Sequence, residues 1–500
     1  MRLLLPLLLA GCGSAALTAV PLCAAPVPLT AAEVETILAQ GAARALADGN
    51  AYTLTVVNRD GIVVGAFSMA GVPPGLLDSC RSKARTAAFL SSNQHAFSTR
   101  TALFIIGNHF PPDIGNTPGG PLYGVQFSSL ACSDTVGELA GTVSTTGNGL
   151  SGDFGSVPLY RDGCLIGAVA ADGGGPGGSK ERAAWAAAAG FRPSPAIDGG
   201  NIFVDGIRLP FVDERPPDLP PPGPLASFAG TVDVPPMAAP PDLAFATGTF
   251  GGLTCEIRYP VIDSPSAAAS KLLAADVAAI LDAAAALSDR LRAAIRRPLG
   301  AAARMFIAVV DADGVVLGCI RTPEATLFSF DVAVQKARTA AFFSSDRAAF
   351  STRALGFLAQ GFFPPGINNT RAGPLNGLQD ALNPACGVLP NGITIFPGGI
   401  PLYIGGVRVG GIGVSGDGVD QDDFVASAGG DLFAPPSGIR SDELPAATAI
   451  AELKARVADI AAATADATLL AATALADSRL DLGLDGIRLP WVKFPRVPFR

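Results

Sequence analysis

The sequence predicts an α+β fold made of two tandem copies of one domain, each a mostly antiparallel sheet of hairpins packed with helices. The phrase KARTAAFLSSNQHAFSTR begins at Lys83 and returns as KARTAAFFSSDRAAFSTR at Lys336. Upstream of both phrases, two β-rich runs are joined at Asp-Gly, a dipeptide that favours a tight hairpin. Downstream, VPLYRDGCLIGAVA and IPLYIGGVRVGGIGVSG read as a second hairpin in each copy. Because hairpins make neighbouring strands antiparallel, we expect no doubly wound parallel sheet.

Each copy is predicted to run helix, hairpin, two helices, irregular loop, hairpin, helix and extended tail. The first copy spans residues 30–212, and the second spans residues 270–494 with a helical insert at about 444–476. Residues 213–265 are rich in proline, which favours extended backbone, and are expected to form a linker or a wrapped arm.

The first helix of the repeated phrase is predicted to pack on its sheet through small side chains. Lys83 and Arg85 lie off the small-residue face, and Ser91-Ser92 is predicted to cap a second helix that starts near His95 or, in the second copy, Ala348. The small-residue face is defined by helical spacing and comprises Leu77, Cys80, Ala84, Ala87 and Ala88, with counterparts Phe330, Ala333, Ala337, Ala340 and Ala341.

Composition and charge limit the classes of partner. The chain has 500 residues, of which 49% are hydrophobic, and its mean hydropathy is +0.39, so burying large cores poses no difficulty. The formal net charge is −8 and the pI about 4.9, with no clustered Lys/Arg stripe. Such a balance repels a phosphate backbone, and we expect no nucleic-acid partner.

Residues 1–25 read as an export signal followed by an N-terminal tail, because one positive charge precedes a short apolar run that ends in small residues. Leu9-Ala10-Gly11-Cys12 resembles the bacterial lipobox, which implies lipidation of Cys12. Gly13, and not an aspartate, follows that cysteine, which in lipoproteins generally indicates the outer membrane. The expected location is therefore the periplasm, with a lipid anchor in the outer membrane. An ordinary secretory signal cut near Ala24 or Ala25 is the alternative.

Export implies an oxidising compartment for the eight cysteines. Seven remain if Cys12 is lipidated, and six remain if cleavage falls after Cys23, which allows 15 pairings that the sequence does not resolve. No Cys-x-x-Cys occurs, so the sequence does not support a thioredoxin-type or zinc-ribbon site.

Three stretches in order, VVDADG, KARTAAFF and IPLYIGGVRVGGIGVSG, resemble the GlcG/HbpS family of haem-binding and haem-degrading-type proteins. The second copy carries all three motifs, whereas the first has Asn58-Arg59-Asp60-Gly61 in its hairpin and Ala170-Ala171-Asp172-Gly173 at its strand end. The resemblance implies haem, or a similar small planar ligand, as cofactor. It also implies symmetric assembly, so that one chain would form an intramolecular pseudo-dimer, or part of a higher homo-oligomer.

Several residue types could hold such a ligand, since haem iron takes His, Met, Cys or Tyr as axial ligand and guanidinium pairs with propionate. Aligning the copies places Ala348 opposite His95 and Phe362 opposite His109, which excludes a duplicated histidine ligand. The Phe-Pro-Pro loops after Phe110 and Phe363 read as pocket rims. The candidate cofactor-binding residues are Tyr160, Tyr403, His109, His95, Arg100 and Arg353. Hydrogen-bonded histidines, core-edge tyrosines and helix-surface salt bridges are the alternatives.

These observations predict an envelope-located, non-catalytic binding protein for haem or a similar planar cofactor. One alternative is an assembly or interaction lipoprotein that kept the fold without the ligand, which the missing histidines favour. Another is a haem-degrading enzyme, as the family resemblance implies. The sequence identifies no catalytic residue for that enzyme, and leaves any metal site unknown.

Overall fold

The computed structural model describes residues 23, 25–115, 117–125, 133–134, 149–365, 367, 369–382 and 389–492. Two similar α+β units follow one another along the chain, which confirms the predicted fold class. The first unit contains α1 (Ala31–Ala47), β1 (Thr53–Asn58), β2 (Val63–Met69), α2 (Leu77–Phe89), α3 (Thr99–Ile106), β3 (Ser156–Arg161), β4 (Cys164–Asp172), α4 (Gly177–Ala187), β5 (Phe203–Val204) and β6 (Ile207–Arg208).

The second unit repeats the order of the first from α1 to α4, with a further short helix before its second hairpin and two helices at its end. It contains α5 (Ala274–Arg290), β10 (Phe306–Asp311), β11 (Val316–Arg321), α6 (Ser329–Phe343), α7 (Thr352–Leu358), α8 (Leu378–Leu382), β12 (Gly399–Ile404), β13 (Val407–Ser415), α9 (Val419–Gly430), α10 (Ala446–Ala462) and α11 (Ala467–Asp481). The predicted helical insert is therefore a pair of helices, α10 and α11.

The segment between the units is an arm that adds edge strands to both sheets. It contains β7 (Gly230–Val234), β8 (Thr247–Phe250) and β9 (Leu253–Tyr259). The strand order is β3-β4-β1-β2-β7 in the first sheet and β12-β13-β10-β11-β9-β8 in the second, with every named pair antiparallel. The register slips at the same place in both first hairpins, between Val56 and Val57 and between Val309 and Val310.

Helices α2 and α6 pack on their sheets through the predicted small-residue face, whose alanines are buried. In the second copy the facing strand β13 is rich in glycine, and a Cβ at Gly413 would lie 1.9 Å from the Ala333 carbonyl oxygen. Only glycine tolerates so close an approach. The helix and strand therefore meet backbone to backbone. Lys83, predicted off this face, is nevertheless buried at 1% exposure.

The predicted cap of the second helix is wrong. Helix α3 begins at Thr99, and its cap is Ser98, whose side chain accepts from the Thr101 N–H at 3.2 Å. Ser91 and Ser92 lie in the preceding turn, where the Ser91 hydroxyl accepts from Phe97 N–H at 2.9 Å. Helix α7 is capped in the same way by Ser351.

The two units pack on each other through a hydrophobic cluster that contains buried residues of both. Phe89 and Phe97 of the first unit belong to the same buried cluster as Phe306 and Phe330 of the second. Arg296, in the loop before β10, is fully buried and joins the units through polar contacts. Its guanidinium donates to Asp417 at 3.0 Å in its own unit and to the Ser92 hydroxyl at 3.2 Å in the other. No helix in the described ranges is long and apolar enough to cross a membrane.

Candidate functional site

The two Phe-Pro-Pro loops, which lie in equivalent places in the two copies, meet where the units join. The ring centroids of His109 and Phe362, which occupy the same position in the repeat, are 6.0 Å apart with 31° between the ring planes. The Gly119 N–H donates to the Gln360 side-chain oxygen at 2.7 Å. Each copy therefore contributes one loop to a shared junction, which we call the loop junction.

His109 is half-buried at the loop junction, and its two ring nitrogens have different surroundings. Nδ1 lies 3.3 Å from the Thr117 carbonyl oxygen. A carbonyl can only accept, so this contact places the proton on Nδ1 and leaves the Nε2 lone pair as the basic site. Nε2 makes no hydrogen bond to any of the described residues. An imidazole held through one nitrogen with the other free is the arrangement that metal-binding histidines use.

Aromatic pairs flank the loop junction in both copies. Phe110 packs edge-on against Phe104 with centroids 5.7 Å apart, and Phe363 packs in the same way against Phe357 at 5.7 Å. The junction therefore places one imidazole beside apolar rings. This combination suits a planar apolar ligand whose metal takes one nitrogen ligand from the protein. It does not offer a second histidine, since Phe362 occupies the equivalent place.

His95 occupies a different environment from His109. It is fully buried, with Nδ1 2.9 Å from the Ser92 hydroxyl and Nε2 3.1 Å from the Leu90 carbonyl oxygen. Burial, together with the positive charge of Arg296, lowers the pKa of His95 well below its usual range. Both ring nitrogens are thus engaged, and the ring is neutral at physiological pH.

Tyr160 hydrogen-bonds to the turn that follows α2, and Tyr403 hydrogen-bonds to the turn that follows α6. The Tyr160 hydroxyl donates to the carbonyl oxygens of Ser92 (2.7 Å) and His95 (2.9 Å). Tyr403 contacts the equivalent carbonyls of Ser345 (2.8 Å) and Ala348 (3.3 Å). Burial raises the pKa of both phenols above the usual range, so neither is a phenolate at neutral pH. Their predicted role as ligands stays a prediction that would require these bonds to break.

Arg100 and Arg353 are held by carboxylates of the helix that follows the second hairpin. Arg100 Nε donates to Glu181 at 2.8 Å, and the guanidinium lies 4.3 Å from the centroid of the Phe154 ring. Arg353 contacts Asp423 and also donates to Asp420 at 2.8 Å. Both guanidinium groups are thus occupied by carboxylates, and their predicted pairing with propionates stays a prediction.

Two buried lysines in equivalent positions, Lys83 and Lys336, were not singled out by the sequence. Lys83 contacts Asp153 and Asp172, and Lys336 donates to Asp422 and to the Val414 carbonyl oxygen, each at 2.7 Å. The signal that could have found them is a lysine repeated within an alanine-rich, core-facing helix. In both copies the carboxylate partners lie more than 60 residues away in sequence, beyond the reach of a spacing argument.

A small apolar cavity lies between the units, and some of its lining residues are close in sequence to the loop junction. Its volume is about 40 Å³, and its walls include Leu90 and Leu122 of the first unit and Ile295, Phe328 and Val419 of the second. Leu122 belongs to the same loop as His109. The described residues include no cluster of three or more His, Cys, Asp or Glu side chains that could hold a metal ion.

One disulfide joins Cys23 to Cys164 on β4. Cys80, Cys255 and Cys319 are buried thiols. The residue predicted to be lipidated, Cys12, lies outside the described residues.

Residues 29–189 and 280–431 match the family described as haem-degrading protein HbpS-like. No curated protein matches the chain. Among solved structures, a PduOC–haem complex is similar at 27% identity, covering 32% of this chain and 93% of that one, with a TM-score of 0.25. The ORFY protein of Klebsiella pneumoniae is similar at 22% identity, over 34% and 95% of the two chains, with a TM-score of 0.26. A double mutant of Streptomyces reticuli HbpS is similar at 23% identity, over 35% and 96%, with a TM-score of 0.24.

Proposed function

The chain belongs to the HbpS-like family, through both of its copies, and from this premise we propose that it binds haem or a similar planar cofactor at the cell envelope without transforming it. The observation that carries the proposal is His109. Its Nε2 makes no hydrogen bond within the described ranges, its Nδ1 is fixed by the Thr117 carbonyl, and the ring lies against Phe362 at the loop junction.

One ligand per chain is expected, because the repeat supplies two loops but one imidazole. Bound haem would offer its iron to an axial ligand, for which the His109 nitrogen is the fitting donor. The apolar rings of Phe110 and Phe362 would contact the macrocycle. Phe362 has no donor atom, so the loop of the second copy would contribute apolar contact only.

A binding role, and not turnover, is favoured by the state of the other candidates. His95, Tyr160 and Tyr403 are buried and hydrogen-bonded to backbone or hydroxyl groups, and Arg100 and Arg353 are paired with carboxylates. A general acid or base must be within reach of the proton it transfers. These groups instead hold turns and helices in place.

The proposed location is the periplasm, with the chain exported and anchored to the outer membrane through a lipid on Cys12. The Cys23–Cys164 disulfide supports export, because disulfides persist in oxidising compartments. It also favours signal cleavage upstream of Cys23, since a cut near Ala24 or Ala25 would remove one of the two bonded cysteines. Cleavage before Cys12 keeps the bond intact.

A second candidate function is an assembly or interaction protein that kept the fold without the ligand. The volume of the cavity between the units, about 40 Å³, favours it. Pockets for small ligands usually measure ~300–1,000 Å³. Haem binding would therefore need the two loops at the junction to open or the ligand to lie on their surface.

A hemin titration of the purified exported chain tests the proposal. We expect a saturable shift of the Soret band at one hemin per chain, and loss of that shift in His109→Phe, which gives the first copy the residue of the second. Asn108→Ala, an exposed neighbour, is the matched control and should titrate like the wild type. An unchanged shift in His109→Phe would refute the assigned ligand. No shift at stoichiometric hemin would favour the interaction protein, and ring opening under a reductant would favour an enzyme.

A further inference from the structure

One helical pair, formed by α10 and α11, is present in the second copy and has no counterpart in the first. After Ile197 the first copy reaches its tail DGIRLP through residues 198–204, whereas after the equivalent Ile439 the second copy has residues 440–484. We call α10 and α11 together the helical cap. It contains none of the candidate haem-binding residues, so the surface that it covers indicates its role.

The first unit packs on the second through one apolar face. This face is formed by the turn after α2, by α3 and by the loop that carries His109, and we call it the packing face. Some of its side chains line one wall of the cavity between the units, and side chains of the second unit line the other. The former include Leu90, Phe97, Ile105 and Leu122, and the latter include Ile295, Phe328 and Val419.

The second unit carries the same packing face, and there the helical cap covers it. The repeat aligns the side chains of the first unit with Phe343, Phe350, Leu358 and Leu375, all of which are at most 1% exposed. They share one buried cluster with leucine and valine side chains of the cap, which are Leu453, Val457, Leu469 and Leu480. The cap therefore occupies on the second unit the place that the second unit occupies on the first.

The polar contacts at the packing face are exchanged in the same way. In the first unit, the Ser92 hydroxyl accepts from the Arg296 guanidinium of the second unit at 3.2 Å. In the second unit, the equivalent Ser345 hydroxyl donates to the Glu452 carboxylate of α10 at 2.8 Å. The same side chain thus contacts a neighbouring unit in one copy and the cap in the other.

Charge matches the packing face of the second unit to the cap and not to another unit. The Gln94 side-chain oxygen of the first unit accepts from Arg296 at 3.3 Å. The equivalent residue of the second unit is Arg347, whose guanidinium lies 2.6 Å from the Glu452 carboxylate. If the second unit docked on another chain as the first unit docks on the second, Arg347 would meet an arginine in the position of Arg296. Like charges repel, so this mode of docking is disfavoured.

The first unit, in turn, lacks the groups that would receive a further packing face. Arg296 lies in the segment 291–305 between α5 and β10, whereas residues 48–52 alone join α1 to β1. Glu324, which pairs with an arginine of the first unit at 3.0 Å, is replaced by Gly71 at the equivalent position. Neither charged contact can therefore be repeated on the first unit.

We propose that the helical cap prevents a second copy of the chain from docking on the second unit, by occupying the packing face itself. Without the cap, large apolar side chains would be exposed together, and a contiguous apolar patch of that kind promotes association. The acceptor surface of the second unit already holds the first unit, so the uncovered faces of two chains would meet each other. Such an interface uses the same patch on both chains and produces a closed dimer.

Removal of the cap from the full exported chain tests the proposal. Replacing residues 445–483 with a single phenylalanine leaves a connection as long as residues 198–204, which join the equivalent elements in the first copy. Sedimentation velocity at rising protein concentration should show that the mass of this variant doubles relative to that of the wild type. Adding Leu375→Glu, which places a charge in the uncovered packing face, should restore the wild-type mass.

Three results would overturn the proposal. The first is a cap-deletion variant that keeps the circular dichroism of a folded α+β protein and also the mass of the wild type. The second is a wild type whose mass rises with concentration as much as that of the variant. The third is growth of the variant into an open series of masses, because the first unit would then accept a further packing face.

A second variant keeps the test decisive if the deletion impairs folding. Leu453→Asp places a carboxylate in the buried contact between α10 and the packing face and should release the cap. Amide hydrogens of α10 and α11 should then exchange faster, and the mass should double. Leu475→Asp, at an α11 leucine that is 48% exposed, is the matched control and should change neither. A released cap with the wild-type mass would overturn the proposal.

Discussion

Lys336 Nζ lies 2.7 Å from Asp422 Oδ2 in the core of the second unit, and both side chains are within 1% of complete burial. The other carboxyl oxygen, Oδ1, has no partner among the described residues. The equivalent Lys83 is as deeply buried, but one of its partners, Asp153, is 51% exposed. Lys180 also contacts Asp153 at 2.8 Å. The same repeated lysine is therefore sealed in one copy and connected to solvent in the other.

Removing the charge should cost more in the second copy. At about pH 8, above the pKa of Asp422, Lys336→Met leaves an ionised carboxylate buried without its cation and should lower the free energy of unfolding by about 3–5 kcal/mol. Lys83→Met is the matched comparison. In that variant the Lys180 ammonium still lies 3.9 Å from Asp172, and the Asp153 carboxylate is half exposed to water. We therefore expect less than half of that loss. Urea denaturation measures both, and equal losses would contradict the account.

The stability of the second unit should depend on pH through Asp422. Burial raises the pKa of Asp422 to about 7, outweighing the opposing charge of Lys336. An unfolded carboxyl titrates near pH ~4, so the folded protein holds an extra proton between pH ~4 and ~7. The contribution to the free energy of unfolding is complete below pH ~4 and is lost as the pH rises to ~7.

Asp422→Asn should flatten that pH dependence, because the amide does not titrate. Asp205→Asn, at an exposed turn residue, is the control and should leave the slope of stability against pH unchanged. Urea midpoints measured at intervals from pH 4 to pH 7.5 decide the matter. The account would be contradicted if the wild-type protein gained stability as the pH rose over this range and Asp422→Asn removed that gain.

The tyrosines are expected to be structural. Tyr160→Phe removes the hydroxyl donor from the Ser92 carbonyl oxygen, and Tyr403→Phe removes it from that of Ser345. The other carbonyl that each hydroxyl contacts keeps a bond from a backbone N–H. Each variant should lower the free energy of unfolding by about 1–3 kcal/mol. Both variants should retain the hemin titration of the wild type. A folded Tyr160→Phe or Tyr403→Phe protein that loses the Soret shift would instead support a tyrosine ligand.

The disulfide should stabilise the first unit and mark the mature N-terminus. Cys23 and Cys164 are 141 residues apart, so replacing Cys164 with Ala should cost about 2–5 kcal/mol. Cys80→Ala, at a buried free thiol, is the comparison for packing changes alone. The intact mass of the exported protein should correspond to a chain that retains Cys23 and carries a lipid at Cys12. A mature chain that starts after Ala24 would contradict both.

Much of the fold could be predicted because its signals are local. The Asp-Gly turns define the first hairpins, and the alanine stripe defines the face of α2 and α6. The cap at Ser98 was missed because Ser91-Ser92 has the same chemistry and comes first. The edge strands β7 and β9 could not be predicted for two reasons. Prolines lie close to them in sequence, and their pairing with β2 and β11 is long-range.

The candidate site was less predictable, because its contacts join distant parts of the chain. His109 meets Phe362 only when the two units pack on each other, and Lys336 finds Asp422 across 86 residues. A sequence identifies which residue types could bind a ligand, but burial decides which remain available. His95 and His109 are the same residue type in different environments. His95 is fully buried with both ring nitrogens in hydrogen-bond contact, whereas His109 is half-buried and contacts the Thr117 carbonyl through Nδ1.

The most direct test of the central claim is the hemin absorption spectrum of Phe362→His beside that of the wild type. If the ligand binds at the loop junction, the variant supplies a second imidazole opposite His109, and the spectrum should change to that of a bis-histidine, low-spin haem with tighter binding. His109→Phe together with Phe362→His should restore a single-histidine spectrum. Identical spectra for the wild type and Phe362→His would show that hemin, if bound, lies elsewhere, and would contradict the account.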